Sequence, residues 1–157
     1  GKTVFACSVV REMLWKYGEM GYTNMRYLNA DGDWVSDIWF ISSPEFIMKL
    51  QDLYGKKGES AWDYLQKVAR KPILILDDLG AEKMTDFVRQ ALYYLINERE
   101  QWQLQTIITS NFSLSQLDEY IDGRISSRIA GMCKIIEFSG HDRRLPIKTS
   151  YLNERIQ

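Results

Sequence analysis

The chain opens on Gly1-Lys2-Thr3 and runs directly into a helical apolar pattern. Phosphate-binding loops follow a strand and end in Gly-Lys-[Ser/Thr]. The three residues alone are common by chance, but their place at the head of a helix is the one phosphate binding requires. In such a loop Lys2 neutralises the β- and γ-phosphates and the Thr3 hydroxyl sits on Mg²⁺. Gly1, Lys2 and Thr3 are therefore candidate contacts to a nucleotide.

A second element lies far downstream. Ile73 to Leu76 is an unbroken aliphatic run ending in Asp77-Asp78. Such a run is what a strand buried on both faces looks like. A carboxylate at the strand end holds the metal through water, which assigns Asp77, with Thr3, to Mg²⁺. Asp78 is assigned to orienting or deprotonating the attacking water. The plainer alternative is two solvated turn acids ahead of Leu79-Gly80. A third element, Thr106 to Thr109, is a buried strand ended by Ser110-Asn111. If the strand ends face the nucleotide, Asn111 brings an amide to the γ-phosphate. The alternative is a turn or cap residue before Leu114.

These residues need a scaffold, and the pattern supplies one. Phe5, Val9, Val10, Met13, Leu14 and Tyr17 recur at helical steps and predict a first helix ending at Gly18 or Gly21. Met25–Leu28 reads as a short strand, and Trp34–Ile41 as one more extended segment. Ser43-Pro44 predicts an N-cap with a first-turn proline. The helix behind it carries Phe46, Ile47, Leu50 and Leu53, and another follows through Trp62, Leu65 and Val68. Phe87–Trp102 is the longest predicted helix. Leu114–Tyr120 and Arg124–Ala130 are short ones, and Lys134–Phe138 is expected to be a last strand. Strands alternating with helices predict an α/β domain with a mostly parallel sheet.

Composition narrows the partners. There are 20 Lys and Arg against 21 Asp and Glu, a formal net charge of -1, so any nucleic-acid contact must come from a local patch. Cys7 and Cys133 lie far apart in apolar runs and read as buried thiols of a reducing compartment. No apolar stretch is long enough to span a membrane. The expectation is a cytoplasmic protein with no membrane partner, one domain over residues 1–157, and no repeat or linker. His141, the one histidine, reads as positional rather than catalytic.

Taken together, the elements resemble the DnaC/IstB-like group of AAA+ ATPases over nearly the whole chain. The matching stretches are Gly1–Thr3, Ile73–Gly80, Ile107–Asn111 and Asp122–Ile129. Ser139–Arg144 resembles the family's closing motif. The resemblance implies a three-layer P-loop fold, ATP and Mg²⁺ as cofactors, and side-by-side assembly. It also implies single-stranded DNA as a ligand and a replicative helicase as partner, or a transposase in IstB-like members. Gly1–Thr3 is then the end of Walker A and Asp77-Asp78 is Walker B. Asn111 is the sensor 1 residue, Arg128 the finger that reaches a neighbouring subunit's γ-phosphate, Arg143 the sensor 2 residue and Arg124 a second basic contact. Many AAA+ proteins carry Glu where Asp78 stands. The shorter side chain requires a closer water or slows hydrolysis.

Loaders of this kind often insert helices before the Walker B strand, and residues 43–70 are the candidates. Lys49, Lys56 and Lys57 near Phe46, Tyr54 and Trp62 offer charge for phosphates and rings for bases. Equally, the aromatics at helical spacing can be core and the lysines a solvated loop. The strand that precedes the phosphate loop in the family is missing from this chain, as is any N-terminal partner-binding domain. The natural protein is expected to extend upstream, and the Asp77 and Asn111 strands are expected to flank a gap. The leading expectation is an ATPase that loads a replicative helicase. The alternatives are a transposition helper, a nucleotide-gated adaptor with little hydrolysis, or a small-molecule kinase. The last has no use for Asp122–Arg128 reaching a neighbour.

Overall fold

The structure is a computed structural model that describes residues 1–19, 26–28, 34–36, 38–55, 58 and 60–138. Helix α1 (Lys2–Glu19) leads to two three-residue strands, β1 (Arg26–Leu28) and β2 (Trp34–Ser36), paired antiparallel. Then come β3 (Ile38–Ser42), α2 (Ser43–Leu53), α3 (Ala61–Ala69), β4 (Ile73–Leu79) and α4 (Asp86–Gln101). The described part ends with β5 (Gln105–Ser110), α5 (Leu114–Tyr120), α6 (Gly123–Met132) and the segment to residue 138.

Strands β3, β4 and β5 form a parallel sheet in that order, with β4 in the centre. Side chains alternate between the two faces of a strand. Leu74 and Leu76 therefore join one apolar cluster with Phe46, Leu50, Tyr64, Val68, Leu92 and Leu95 from α2, α3 and α4. Ile73 and Ile75 face the other way, where Ala6 and Val10 of α1 cover them together with Ile107. The result is three layers, helix, sheet and helix. Odd-numbered β4 positions look toward α1, and the next of these is Asp77.

Local chemistry sets the helix starts. Ser42 accepts from the Glu45 N–H and caps α2, with Pro44 in the first turn. The cap is thus one residue earlier than the expected Ser43, whose hydroxyl is instead buried. Ser60 and Asp63 close a reciprocal capping box on α3. Thr85 caps α4, Ser113 and Gln116 box α5, and Asp122 caps α6.

Four expectations are corrected. Trp34–Ile41 is not one segment: it divides into β2 and β3, which belong to different sheets. The Asp77 and Asn111 strands flank no gap, because β4 and β5 pair directly. Among the described residues β3 and β5 are the two edge strands. Lys134–Phe138 forms no strand. It faces β5 across a groove of about 370 Å³ that both line with α1, so no ladder reaches it, and Ile135, Ile136 and Phe138 stay about half exposed. Cys7 is exposed, since Ala6 and Val10 take the inward face of α1. On the same helix Phe5 lies outward and meets Phe138 edge-on at 5.1 Å.

Candidate nucleotide-binding site

The sheet parity and the helix start meet at one contact. The Thr3 hydroxyl donates to both oxygens of the Asp77 carboxylate at 3.1 Å, across 74 residues of sequence. Asp77 is 6 % exposed, and its second hydroxyl partner is Thr109, which donates to Oδ1 at 2.5 Å. Among the described residues no lysine or arginine pairs with it. A buried carboxylate satisfied only by hydroxyls, one of them at a helix N-terminus, suits a cation. The donors are hard oxygens, few in number, as Mg²⁺ requires when phosphates and water complete its shell. No cluster of three or more His, Cys, Asp or Glu exists among the described residues. Lys2 lies half-buried one residue before Thr3, and Gly1 is exposed with its carbonyl accepting from the Phe5 N–H.

Asp78 occupies an unusual backbone position. The ladder pairs Leu76 with Ile108 and then Leu79 with Ser110. Two residues, Asp77 and Asp78, thus stand opposite the single Thr109, which is a β-bulge. Asp78 takes φ 55, in the left-handed region that non-glycine residues enter at a cost. Its N–H donates to Thr109 Oγ1 at 3.0 Å, replacing the ladder bond that the bulge removes. The extra residue also resets the alternation, so that Leu79 returns to the larger core cluster.

The turn behind the acids is tightly held. Gly80 has φ 93, and a Cβ there would lie 2.5 Å from the Phe112 ring. Only glycine meets both demands. Glu82 is buried and accepts from the Gly80 N–H at 3.4 Å, while the Tyr120 hydroxyl donates to the Glu82 carbonyl. The Ser110 hydroxyl donates to the Leu79 carbonyl at 2.6 Å, tying the ends of β4 and β5 together. Asn111 follows as an exposed residue at this same end of the sheet.

The arginines behave differently from one another. Arg128 donates to Tyr93 and Asn97 of α4 at 3.2 and 3.0 Å. Its Nε lies 3.3 Å from Glu100, an ion pair without hydrogen-bond geometry. Arg124 is mostly exposed and grips the Asp122 carboxylate with two nitrogens, at 3.0 and 2.8 Å. Those bonds, with the Arg124 backbone N–H, hold Asp122 down at a pKa of about 2. Both guanidinium groups lie over the Tyr93 ring, at 5.0 and 5.2 Å.

In the 43–70 segment Phe46 and Leu50 are core, as is Tyr64, while Tyr54 and Trp62 are exposed. Lys49 is exposed on α2. Lys56, Lys57, Arg143, His141 and the Ser139–Arg144 motif lie outside the described residues. Sequence reasoning missed Thr109 as a partner of both acids, although its parity with Ile107 placed it on the Asp77 face. It also missed Tyr93, Asn97 and Glu100 as the cradle of Arg128. No helix of the described residues is long and apolar enough to cross a membrane.

Residues 35–150 match the family described as IstB-like ATP binding protein. The chain belongs to this family. A curated relative is the replicative helicase loader DnaI of Bacillus subtilis (strain 168), 29 % identical over 150 residues, covering 85 % of this chain and 48 % of the relative. The chain therefore spans about half the length of that relative. Among solved structures, a crystal structure of the DnaC helicase loader aligns with a TM-score of 0.53 and 29 % identity, over 64 % of this chain and 59 % of that one. The fold is accordingly the α/β three-layer P-loop fold of AAA+ proteins, and the family is an ATP-binding one.

Proposed function

We propose that this chain is the ATP-hydrolysing domain of a loader that places a replicative helicase on single-stranded DNA. The observation that carries the reading is the Thr3–Asp77 contact, which joins the head of α1 to the end of the central strand. The names of the two relatives, both helicase loaders, favour this partner over a transposase.

In this reading Gly1, Lys2 and Thr3 hold the phosphates, and Thr3 and Asp77 hold Mg²⁺. The metal, when bound, neutralises charge on the transferred phosphoryl group. Asp78 orients the attacking water, and Asn111 stands by the γ-phosphate. Arg128 acts on a neighbouring subunit, with Arg143 as a further contact to the nucleotide. To reach across, Arg128 must leave Tyr93, Asn97 and Glu100, whereas Arg124 is already exposed beside it. Residues 1–157 serve as one ATPase domain. Within it, α2, α3 and the loop between them present Lys49, Lys56 and Lys57 to single-stranded DNA beside the exposed Tyr54 and Trp62.

The test is ATP binding and turnover, with and without single-stranded DNA and a replicative helicase. Lys2→Ala should lose binding, and Asp78→Asn should bind ATP but not turn it over. Mixing Lys2→Ala with Arg128→Ala should restore some turnover, because one subunit then supplies an intact pocket and the other an intact arginine. A mixture that associates yet stays inactive sinks the role of Arg128. Turnover by Asp78→Asn at the wild-type rate sinks that of Asp78.

A further inference from the structure

We infer that Thr109 is a positioning residue that sets both acids of the site through one hydroxyl. This rests on the reading of Asp77 and Asp78 given above. The Thr109 oxygen donates to Asp77 Oδ1 and accepts the Asp78 N–H, so a single atom bridges the metal-holding carboxylate and the backbone of the water-orienting residue. It sits in the one place where the β4–β5 ladder fails, opposite two residues rather than one.

The physical case has three parts. First, the bulge leaves the Asp78 N–H without a ladder acceptor, and a part-buried donor needs one. Thr109 is the acceptor that the structure provides. Second, Asp78 is kept at φ 55, where sterics alone would not hold an aspartate. The bond from its own N–H fixes the plane of the peptide that precedes it, and the Gly80 turn fixes the chain behind it. Third, the hydroxyl proton is committed to Asp77, so its lone pairs face the Asp78 N–H. The two bonds specify each other, and rotation of the hydroxyl would break both. Thr109 is itself 6 % exposed, so water does not readily replace it.

Two features make threonine the fitting residue. Its methyl group suits a parallel strand buried between layers, and its branch at Cβ restricts the rotamer that carries the hydroxyl. Valine keeps the shape and removes the oxygen. Serine keeps the oxygen and loses only the methyl group.

The experiment compares Thr109→Val and Thr109→Ser with wild type in the full chain, by amide hydrogen exchange and by ATP kinetics. Exchange of the Asp78 amide should quicken by about tenfold or more in Thr109→Val, while the Leu74–Leu76 amides keep their protection, because their ladder is intact. In the same variant kcat should fall by about tenfold or more with KM for ATP nearly unchanged, as expected when only orientation is lost. Thr109→Ser should restore both. Unchanged exchange at Asp78 in a folded Thr109→Val overturns the inference. So does quickened exchange with wild-type kcat, or a Thr109→Ser protein as slow as the valine variant, since shape and not the hydroxyl would then be the requirement. Failure of the underlying reading is recognised separately: Asp78→Asn would then turn over like wild type, while the Asp78 amide would still respond to Thr109→Val.

Discussion

Thr3 and Asp77 hydrogen-bond at 3.1 Å through both carboxylate oxygens, although one begins the first helix and the other ends the central strand. The contact brings the two ends of the candidate site into register before any nucleotide is considered. It also fixes the Asp77 carboxylate, since both of its oxygens accept from a hydroxyl and are not left to rotate.

The first expectation follows from that contact. Thr3→Val keeps the helix start and removes the hydroxyl. ATP affinity measured with Mg²⁺ should fall by roughly tenfold or more, in the range for lost groups that orient or hold a metal. Affinity in EDTA should change much less. Equal losses with and without Mg²⁺, read by calorimetry, would show that Thr3 acts only on the phosphates.

Arg99 carries a stability prediction. It is fully buried and donates to the carbonyls of Ala69, Lys71 and Gln105 and to the Thr106 hydroxyl. It thereby ties the end of α4 to the entries of β4 and β5. Burial pushes its pKa down to about 10, against a smaller opposing effect of Cys133. Arg99→Met should leave those carbonyls without donors and destabilise the fold by about 3–5 kcal/mol. Arg99→Lys should recover only part of this, because an ammonium cannot reproduce the planar fork. Urea unfolding midpoints at constant slope decide the matter, and a loss below ~1 kcal/mol would mean that water replaces the guanidinium.

Gly80→Ala tests the turn behind the acids. The substitution meets φ 93 and the Phe112 ring together. A loss of about 2 kcal/mol or more is expected from strain and overpacking combined. Adding Phe112→Leu should relieve the clash but leave the backbone strain. Full recovery in the double variant would assign the whole cost to the ring.

The α6 cap predicts a pH response. Asp122 has its pKa lowered to about 2, first by the Arg124 side chain and then by its backbone N–H. A carboxylate held below its unfolded value stabilises the folded state above that value. This contribution is full above the ordinary pKa of 3.8 and is lost as pH falls through about 2. Arg124→Ala should raise the Asp122 midpoint toward 3.8 without reaching it, since the backbone N–H still donates. A carboxyl NMR titration with an unmoved midpoint would remove Arg124 as the cause.

What was legible in the sequence was what burial imposes. The run Ile73–Leu76 announced a strand covered on both faces, and the two acids after it announced where that cover ends. The helices predicted over Phe87–Trp102 and Leu114–Tyr120 are found at 86–101 and 114–120, while their caps at Thr85 and Ser113 went unread. Arg99 stood at helical spacing behind Leu92, Leu95 and Ile96, so its inward position was readable. Its charge argued against burial, and the carbonyls that receive it belong to segments distant in sequence. The bulge was hidden for a related reason. It is a property of two strands in register, and neither strand carries it alone. Lys134–Phe138 misled because an apolar run is a necessary condition for an inner strand, while a free neighbouring ladder is the other.

The bulge also makes the acid pair a matter of counting. With one residue fewer between Leu76 and Leu79, plain alternation would resume and Leu79 would keep its place in the main cluster, while one of the two acid positions would be gone. Point substitutions at Asp77 or Asp78 leave that phase untouched, so the strand can survive the loss of either carboxylate. A single-residue deletion keeps the phase as well, but it removes the bulge, and with it the left-handed position and the N–H that Thr109 accepts. A library of deletions would therefore find this stretch still able to fold but left with one acid opposite Thr109, so that the second acid depends on chain length and not only on residue identity.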